Sequence, residues 1–376
     1  MTHATDSLDA MSDRVVDFGA GPAALPVSVL EQAQRDLVSL PGLGISPLEI
    51  SHRSPWFGQV LEEAEANLRT LLTVPDSHRI VFCQGGASLQ FSMVPMNLLP
   101  RTGHTADHVI TGTWGAKSLR EATRQGATRS AWTGAAGGFT RVPDAGEWSA
   151  GDDAAYLHIT TNETIEGVQW PDLPASSGAV PLVADMSSDF LSRPLDLRRV
   201  GLAYAGAQKN AGPAGVTVVI VREDLLERAA EDLPTMLAYR TYVEHGSLYN
   251  TPPVFAIYVL MLVTRWLRDE VGGLEEQDRR NRAKAAALYE AIDGSDGFYR
   301  GHAQPASRSL MNVTFRLPDE ALDQRFVAEA AERGLAELKG HRSVGGIRAS
   351  IYNAMTIEGS QALAAFMQEF RDRNAA

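Results

Sequence analysis

Apolar residues recur at two different periods along this chain, and the alternation of the two periods predicts an α/β fold. Helical spacing runs through residues 27–40 and 59–72. Short apolar runs typical of buried strands alternate with helices or long connections and are found at residues 79–83, 108–111, 155–160, 180–185, 202–205 and 216–221. Apolar strands separated in this way predict a large domain with a mostly parallel sheet flanked by helices.

The pattern changes after residue 271, where a more charged helix begins. The remaining sequence predicts helices and strands in alternation, at residues 274–291, 310–317, 320–333 and 346–352, before a final helix. We therefore expect a smaller C-terminal α/β domain after the large one. The expected parts are a flexible N-terminal extension (1–14), the large domain (15–271), whose first residues could pack on the small domain, and the small domain (272–376).

Composition narrows the class of protein. A formal net charge of −12 argues against nucleic-acid binding, which needs a basic stripe. The most apolar long segment, residues 253–267, is shorter than the roughly 20 residues that span a bilayer, so no membrane partner is expected. The single cysteine, Cys83, is expected in a buried strand, and no metal-binding pattern occurs among the dispersed histidines. With no targeting segment recognised, we expect a cytoplasmic protein without a metal.

Lys209 is the first candidate for covalent chemistry. It is one of only four lysines and lies in a Gly-rich stretch, residues 204–215, that has no other charge. An amine can form a Schiff base and a guanidinium cannot, although a Lys in such a loop is also typical of a solvated surface. Asp185 ends the preceding strand, where it suits a ligand cation or the cap of a turn. The other lysines, 117, 284 and 339, are expected at the surface or at the edge of a site.

Groups that could bind anions are spread over several segments. Residues 83–88 turn from a strand into a helix through two glycines, which suits phosphate binding but also suits any tight turn. His52-Arg53 and His341-Arg342 each place His beside Arg, and Arg348 follows on a predicted strand. Arg side chains match carboxylate and phosphate oxygens in pairs, so these residues suit a substrate with two anionic groups; the alternative is structural ion pairing.

Taken in order, several motifs resemble the phosphoserine aminotransferases, which are pyridoxal 5'-phosphate enzymes of fold type I. The similarity covers nearly the whole chain. The motifs are Ser-His-Arg (51–53), Asn-Glu-Thr-Ile-Glu-Gly (162–167), Tyr-Ala-Gly-Ala-Gln-Lys-Asn-Ala-Gly-Pro-Ala-Gly (204–215), Asn-Thr-Pro-Pro (250–253) and Lys-Gly-His-Arg-Ser-Val-Gly-Gly-Ile-Arg-Ala-Ser-Ile-Tyr-Asn-Ala (339–354).

The resemblance implies how the cofactor would be held. Lys209 would form the Schiff base and move the proton, and Asp185 would keep the ring nitrogen protonated. The remaining implied contacts are Trp114 stacking on the ring, Thr164 at its hydroxyl side, Ala87, Ser88 and Gln208 at the phosphate, and Asn250 and Thr251 reaching the phosphate from a neighbouring subunit. A homodimer with shared active sites follows. Many members of the family carry an Arg where this chain has Ser88, which leaves distal-anion recognition at that turn open.

The resemblance also implies the reaction. Arg348 would bind the substrate α-carboxylate, and His52, Arg53, His341 and Arg342 would bind its phosphate or distal carboxylate. Glutamate and 3-phosphohydroxypyruvate would give 2-oxoglutarate and 3-phosphoserine in serine biosynthesis, with 4-phosphohydroxythreonine of pyridoxine biosynthesis as an additional substrate. The alternatives are an alanine–glyoxylate-like aminotransferase, a cysteine desulfurase, and a catalytically silent relative with a binding role.

Overall fold

The computed structural model describes residues 14–99, 104–174, 180–230 and 232–375. All but the last residue of the expected N-terminal extension therefore lies outside the described residues. Fourteen strands are numbered in chain order: β1 Val16–Asp17, β2 His78–Cys83, β3 Thr105–Ile110, β4 Thr128–Thr133, β5 Ala154–Thr160, β6 Asn162–Glu163, β7 Val168–Gln169, β8 Leu182–Asp185, β9 Leu202–Gly206, β10 Thr217–Arg222, β11 Arg300–Gly301, β12 Asn312–Arg316, β13 Leu335–Ala336 and β14 Ile347–Ser350.

The α-helices are numbered in the same way. They are α1 Val27–Leu37, α2 Pro55–Leu72, α3 Gly86–Leu98, α4 Thr113–Ala122, α5 Glu223–Leu226, α6 Tyr239–Glu244, α7 Val254–Trp266, α8 Leu274–Asp293, α9 Glu320–Glu332 and α10 Ile357–Asn374. Most predicted elements are confirmed, with shifted ends. The first helix was predicted to reach residue 40 but ends at Leu37, since Pro41 follows and the residue before a proline disfavours helical backbone.

A seven-stranded sheet with the strand order β2-β10-β9-β8-β5-β3-β4 forms the centre of the molecule. Strand β10 runs antiparallel to both of its neighbours, and the other neighbouring pairs are parallel. The predicted mostly parallel sheet is therefore confirmed. The parallel arrangement brings the carboxyl ends of β2, β3, β5, β8 and β9 to one edge of the sheet, where ligands bind in open α/β folds.

Helices cover both faces of this sheet. The face that carries α3 and α4 buries the aromatic side chains of Phe91, Tyr156 and Tyr204. The opposite face packs against α2 and α7. Helix α7 is buried on all sides from residue 256 to residue 264, as expected from its apolar composition. Cys83, at the end of β2, is fully buried as predicted.

A second hydrophobic cluster lies among the C-terminal elements. It is built around α8, α9, α10 and the three-stranded antiparallel sheet β11-β12-β14. Phe315 and Phe326 meet edge to face there, with their ring centroids 5.9 Å apart. Phe18 belongs to the same cluster, and the adjacent strand β1 pairs with β13, so the start of the described chain packs on C-terminal elements.

Lys284 contradicts the expectation of a surface lysine. It lies on α8, is 1% exposed, and donates to the backbone carbonyls of Ile351 (3.0 Å) and Tyr352 (2.7 Å) just after β14. The sequence prediction was wrong because the charge of α8 as a whole indicated a solvated helix, whereas this position faces the second cluster. Burial lowers the pKa of Lys284 to about 7.

Within the part of the chain that the structure describes, no helix combines the length and the apolarity needed to cross a lipid bilayer. No three His, Cys, Asp or Glu side chains of these residues are placed together to hold a metal ion.

Candidate active site

A cavity of about 310 Å³ opens at the edge of the sheet where the parallel strands end. It lies between the N-termini of α3 and α4, the ends of β5 and β8, and the loop after β9. Nine of the residues predicted for the site line this cavity: Ala87, Ser88, Trp114, Thr164, Asp185, Gln208, Lys209, His341 and Arg348. The fold thus brings together groups that lie as far apart in the sequence as residues 87 and 348.

Lys209 lies three residues after β9, in the centre of the cavity wall. Its Nζ donates to the Thr164 hydroxyl (2.6 Å) and lies 5.9 Å from the centroid of the Trp114 ring. Burial lowers the pKa of Lys209 to about 8; the Asp185 carboxylate opposes this effect and the Arg348 guanidinium adds to it. A substantial fraction of the amine is therefore neutral and nucleophilic slightly above neutral pH.

Asp185 is the last residue of β8, beside the strand that leads to Lys209. Its side chain is buried, and one oxygen accepts the backbone N–H of Ser187 (2.9 Å). Burial raises the pKa of this carboxyl group, and the hydrogen bond to Ser187 and the charge of Lys209 oppose the rise. The carboxylate therefore lies in a low-dielectric wall and is suited to pair with one cationic group of a ligand.

The turn between β2 and α3 presents backbone N–H groups to the cavity. Gly85 and Gly86 have φ angles of 86° and 63°, a left-handed conformation that favours glycine. Among the described residues no side chain caps the N-terminus of α3, so the first N–H groups of the helix remain available to an anion at Gly86, Ala87 and Ser88.

Trp114, the second residue of α4, forms another wall. Its indole ring has the Nζ of Lys117 4.0 Å from its centroid, in addition to the more distant Lys209. The indole Nε1 is buried and has no hydrogen-bond partner among the residues that the structure describes. An aromatic face held in this position can stack on a planar ligand ring.

Two cationic groups approach the cavity from the C-terminal part of the chain. Arg348, on β14, is largely buried, and this burial lowers its pKa. Burial and the positive charges of Arg348 and Lys117 lower the pKa of His341. Both side chains therefore carry an electrostatic penalty that a bound anion would relieve.

The other predicted site residues do not line this cavity in the described chain: His52, Arg53, Asn250, Thr251 and Arg342. Thr251 lies near the α3 turn, since its carbonyl accepts from the Gln84 side chain (3.2 Å), but it is exposed. Arg342 lies in a separate groove of about 710 Å³ with Arg316 and Lys339. The predicted roles of these five residues stay predictions.

Several cavity residues were missed by the sequence analysis. The missed polar groups are Thr160, Asn162, Ser187 and Ser188, and the missed residues of the N-terminal segment are Ala20 and Gly21. For the four polar residues, the available signal was their position at or just after the ends of β5 and β8. The N-terminal segment gave no such signal, because it reaches the cavity through the backbone bond from the Ala23 N–H to the Gln208 carbonyl (2.9 Å).

This geometry combines an amine, a buried acid, an aromatic wall and a free helix N-terminus in one cavity. A family model described as aminotransferase class-V matches residues 15–363. The chain belongs to the class-V aminotransferase family.

Within this family the chain belongs with the phosphoserine aminotransferases. It is 53% identical over 363 residues to the phosphoserine aminotransferase of Rhodopirellula baltica, with 96% of both chains covered. Its structure matches that of the phosphoserine aminotransferase from Bacillus circulans subsp. alkalophilus with a TM-score of 0.94 at 52% identity, covering 96% of this chain and 99% of the other. The pyridoxal phosphate-bound phosphoserine aminotransferase from Trichomonas vaginalis gives a TM-score of 0.89 at 40% identity, covering 94% and 100%. The resemblance found from the motifs and the fold class predicted with it are confirmed.

Proposed function

We propose that this protein is a pyridoxal phosphate-dependent aminotransferase that transfers the amino group of glutamate to 3-phosphohydroxypyruvate, forming 3-phosphoserine and 2-oxoglutarate for serine biosynthesis. One observation carries the proposal: Lys209 and Asp185, on the ends of neighbouring strands, line the same cavity as the uncapped N-terminus of α3. The relatives named above carry the same activity in their names.

The residues of the cavity fit this cofactor. The α3 turn, with Ala87, Ser88 and Gln208 beside it, would hold the phosphate. Trp114 would stack on the ring, and Asp185 would hold a proton on the ring nitrogen. When bound, pyridoxal phosphate supplies an electron sink that stabilises negative charge at the α carbon of an amino acid.

Lys209 has two tasks in this proposal. Its amine, which the pKa of about 8 leaves partly neutral near physiological pH, would be the group that holds the cofactor through its aldehyde. When it is not bonded to the cofactor, Nζ would be the base that takes the proton from the α carbon of the amino donor. In the cofactor-free protein, the hydrogen bond to the Thr164 hydroxyl holds Nζ at the cavity wall.

The substrate anions would be bound by the cationic groups from the C-terminal part. Arg348 is the proposed partner of the α-carboxylate, because its planar guanidinium can bind both carboxylate oxygens. His341, Arg342, His52 and Arg53 are the proposed partners of the phosphate or of the distal carboxylate. Since both substrates are acids with a second anionic group, one site can serve both half-reactions. A phosphorylated threonine analogue meets the same requirement and is retained as an additional substrate.

We propose further that the active protein is a homodimer. Asn250, Thr251, His52 and Arg53 lie outside the cavity of their own chain, so a second subunit would have to bring them to it. Exposed apolar side chains in the same part of the chain, Val38 (84% exposed) and Leu48 (63% exposed) among them, suit an interface with a second copy.

Subunit complementation tests the shared site. Lys209→Ala and Thr251→Asp should each be inactive alone, because the first lacks the amine and the second places a negative charge beside the phosphate. Co-refolded mixtures should recover up to about a quarter of the wild-type activity, since half of the dimers form by mixing and each has one intact site. Activity no higher than that of the parent variants would contradict the shared site.

The division of the chain into parts also remains a proposal: residues 1–14 as an extension, 15–271 as the large domain and 272–376 as the small domain. It is supported by the separate hydrophobic clusters and by Gly272 and Gly273, whose φ angles of 93° and 103° end the helical conformation between α7 and α8. Limited proteolysis should cut near these glycines. We also retain a cytoplasmic location, which cell fractionation would test.

The activity is tested by glutamate-dependent turnover with 3-phosphohydroxypyruvate, glyoxylate and pyruvate, with Lys209→Ala as the inactive control. Preference for the phosphorylated acid is expected, and preference for glyoxylate or pyruvate would overturn the proposal. The cysteine desulfurase alternative is disfavoured because Cys83 is fully buried at the end of β2, and burial raises the pKa of its thiol. A catalytically silent relative would show no turnover with any of the three acids, even after incubation with pyridoxal 5'-phosphate.

A further inference from the structure

Two carboxylates from a distant hairpin bind the N-terminus of α4. Glu163 accepts the backbone N–H of Trp114 through Oε2 and that of Gly115 through Oε1, both at 2.9 Å. Glu166 accepts the backbone N–H (3.0 Å) and the hydroxyl of Thr113 through Oε1. The first three N–H groups of the helix, which have no partner within it, are thereby bonded.

The two carboxyl groups are close to each other as well as to the helix. A Cβ atom at Gly112, the residue before α4, would lie 2.6 Å from Cδ of Glu163 and 2.7 Å from Oε2 of Glu166. Both carboxyl groups therefore contact the backbone at residue 112. They can approach this closely only because Gly112 has no side chain. Both side chains are buried, at 0% and 3% exposure.

The hydrogen bonds of the two carboxyl groups differ. Each oxygen of Glu163 accepts one N–H, as suits an ionised carboxylate. In Glu166 both bonds go to Oε1, and Oε2 is buried without a hydrogen-bond partner among the described residues. Two adjacent buried negative charges repel each other, and burial together with this repulsion raises the pKa of Glu163, as burial does that of Glu166. A single proton on Oε2 of Glu166 removes one of the two charges and leaves the helix N-terminus with one carboxylate.

The hairpin that carries the pair, β6–β7 with residues 164–167 as its turn, also contacts the rest of the site. Thr164, between the two glutamates, accepts from Lys209 Nζ. The Glu166 carbonyl accepts from the Thr314 hydroxyl of β12 (2.8 Å). The position of α4, and with it the direction of the Trp114 ring, is therefore tied to the same hairpin that contacts Lys209.

We propose that Glu163 and Glu166 are positioning residues that hold the Trp114 ring in place for the cofactor, with Glu163 ionised and Glu166 protonated. This inference rests on the proposed function, because the stacking of Trp114 on pyridoxal phosphate is part of it. The pair touches neither the cofactor nor the substrate in the proposed arrangement. It acts through the backbone of the first turn of α4.

The two amide variants separate the roles of the pair. Glu166→Gln retains an acceptor at Oε1 and a donor at the position of the protonated oxygen, so it should bind pyridoxal 5'-phosphate within about twofold of the wild type. Glu163→Gln places an NH₂ group against one of the two helix N–H groups, so cofactor affinity should fall about tenfold. Affinity is measured on the cofactor-free protein by the quenching of tryptophan fluorescence. Equal losses in the two variants, or no loss in Glu163→Gln, would overturn the proposal.

A double-mutant cycle with Trp114→Ala distinguishes positioning from a general effect on structure. If Glu163 acts through the ring, Glu163→Gln should weaken binding by less than about twofold once the ring is absent. The same tenfold loss in the Trp114→Ala background would mean that Glu163 does not act through the ring, and would refute the inference. A wild-type protein that binds no cofactor would instead refute the proposed function.

The protonation state has its own measurement, which does not depend on the folding of Glu163→Gln. The infrared carbonyl band of a protonated carboxylic acid should be present in the wild-type protein at neutral pH and absent from Glu166→Gln. An unchanged band in Glu166→Gln, or no such band in the wild type, contradicts the assignment of the proton to Glu166.

Discussion

Two groups of opposite charge lie near Lys209. Removing the negative one should lower the pKa of the Lys209 amine, and removing the positive one should raise it. In the cofactor-free protein this pKa is lowered to about 8; burial is the main cause, the Asp185 carboxylate opposes it and the Arg348 guanidinium adds to it. Asp185→Asn removes the favourable charge with almost no change in volume, so the pKa of Lys209 should fall. Arg348→Gln removes the unfavourable one, so it should rise.

The size of the two changes follows from the surroundings. A charge a few ångströms from a titrating group shifts its pKa by roughly 1–3 pH units, less where solvent screens it. Asp185 is buried, so Asp185→Asn should lower the pKa of Lys209 by about one pH unit. Arg348 is only partly buried, and a smaller rise, of about half a pH unit, is expected for Arg348→Gln.

The assay is the pH dependence of reductive methylation of the cofactor-free protein, with the modification of each lysine followed by peptide mass mapping. The exposed Lys339 reports the intrinsic reactivity of a solvated amine in the same sample. Arg342→Gln is the matched control, because Arg342 lies in a different groove, and this variant should leave the profile of Lys209 unchanged. Shifts of the same sign in the Asp185 and Arg348 variants, or an equal shift in the control, would refute the electrostatic reasoning.

Three further predictions concern residues outside the cavity wall. Because the pKa of Lys284 is lowered to about 7, the folded protein binds fewer protons than the unfolded one above that pH, and the free energy of unfolding should rise by up to about 1.4 kcal/mol per pH unit from pH 7 towards 10. Urea unfolding at pH 7.5 and 9 should show a smaller rise in Lys284→Met than in the wild type. An equal rise in both proteins would contradict this prediction. Gly167→Ala should lower the free energy of unfolding by about 2 kcal/mol or more, because φ is +70° and the new Cβ would lie 2.6 Å from the Asn312 carbonyl oxygen. Gly138→Ala is the control, because Gly138 also has a positive φ but has no atom within 4 Å of the new Cβ. Equal melting temperatures of the two variants would contradict the predicted clash with the Asn312 carbonyl. A thiol reagent should label Cys83 only as fast as local or global unfolding exposes the side chain, because the thiol is fully buried. Labelling in native buffer that is faster than unfolding would contradict the burial of the thiol.

The principal chemical pair of the site could be predicted from the sequence. Asp185 and Lys209 follow neighbouring apolar runs, and the carboxyl ends of parallel strands meet at one edge of a sheet. The antiparallel direction of β10 could not be predicted in the same way. An apolar strand has the same pattern in either direction. The connection between β9 and β10, residues 207–216, is longer than a tight hairpin and shorter than the roughly dozen residues of a crossover, so its length does not decide the direction.

Contacts that join distant segments were beyond the sequence pattern. Glu163 and Glu166 meet Thr113 and Trp114 across about 50 residues, and nothing local to either segment indicates the pair. The close approach at Gly112 is visible only in three dimensions, since a glycine before a helix is common for other reasons. Neighbouring residues of a loop can also separate: His341 lines the cavity, whereas Arg342 lies in a groove beside it.

The balance of charge in the cavity favours the binding of anions. The pKa is lowered for three basic groups of the cavity: Lys209, Arg348 and His341. Each is at least partly buried, and Lys209 and His341 also face a neighbouring cation. Asp185 offsets only part of this positive charge, and its own ionisation is opposed by burial. The folded protein thus holds cationic groups together at an electrostatic cost, and an anion that binds between them recovers part of that cost. A substrate with a carboxylate and a second anionic group would gain most from this arrangement, whereas glyoxylate and pyruvate, which lack the second group, should gain less.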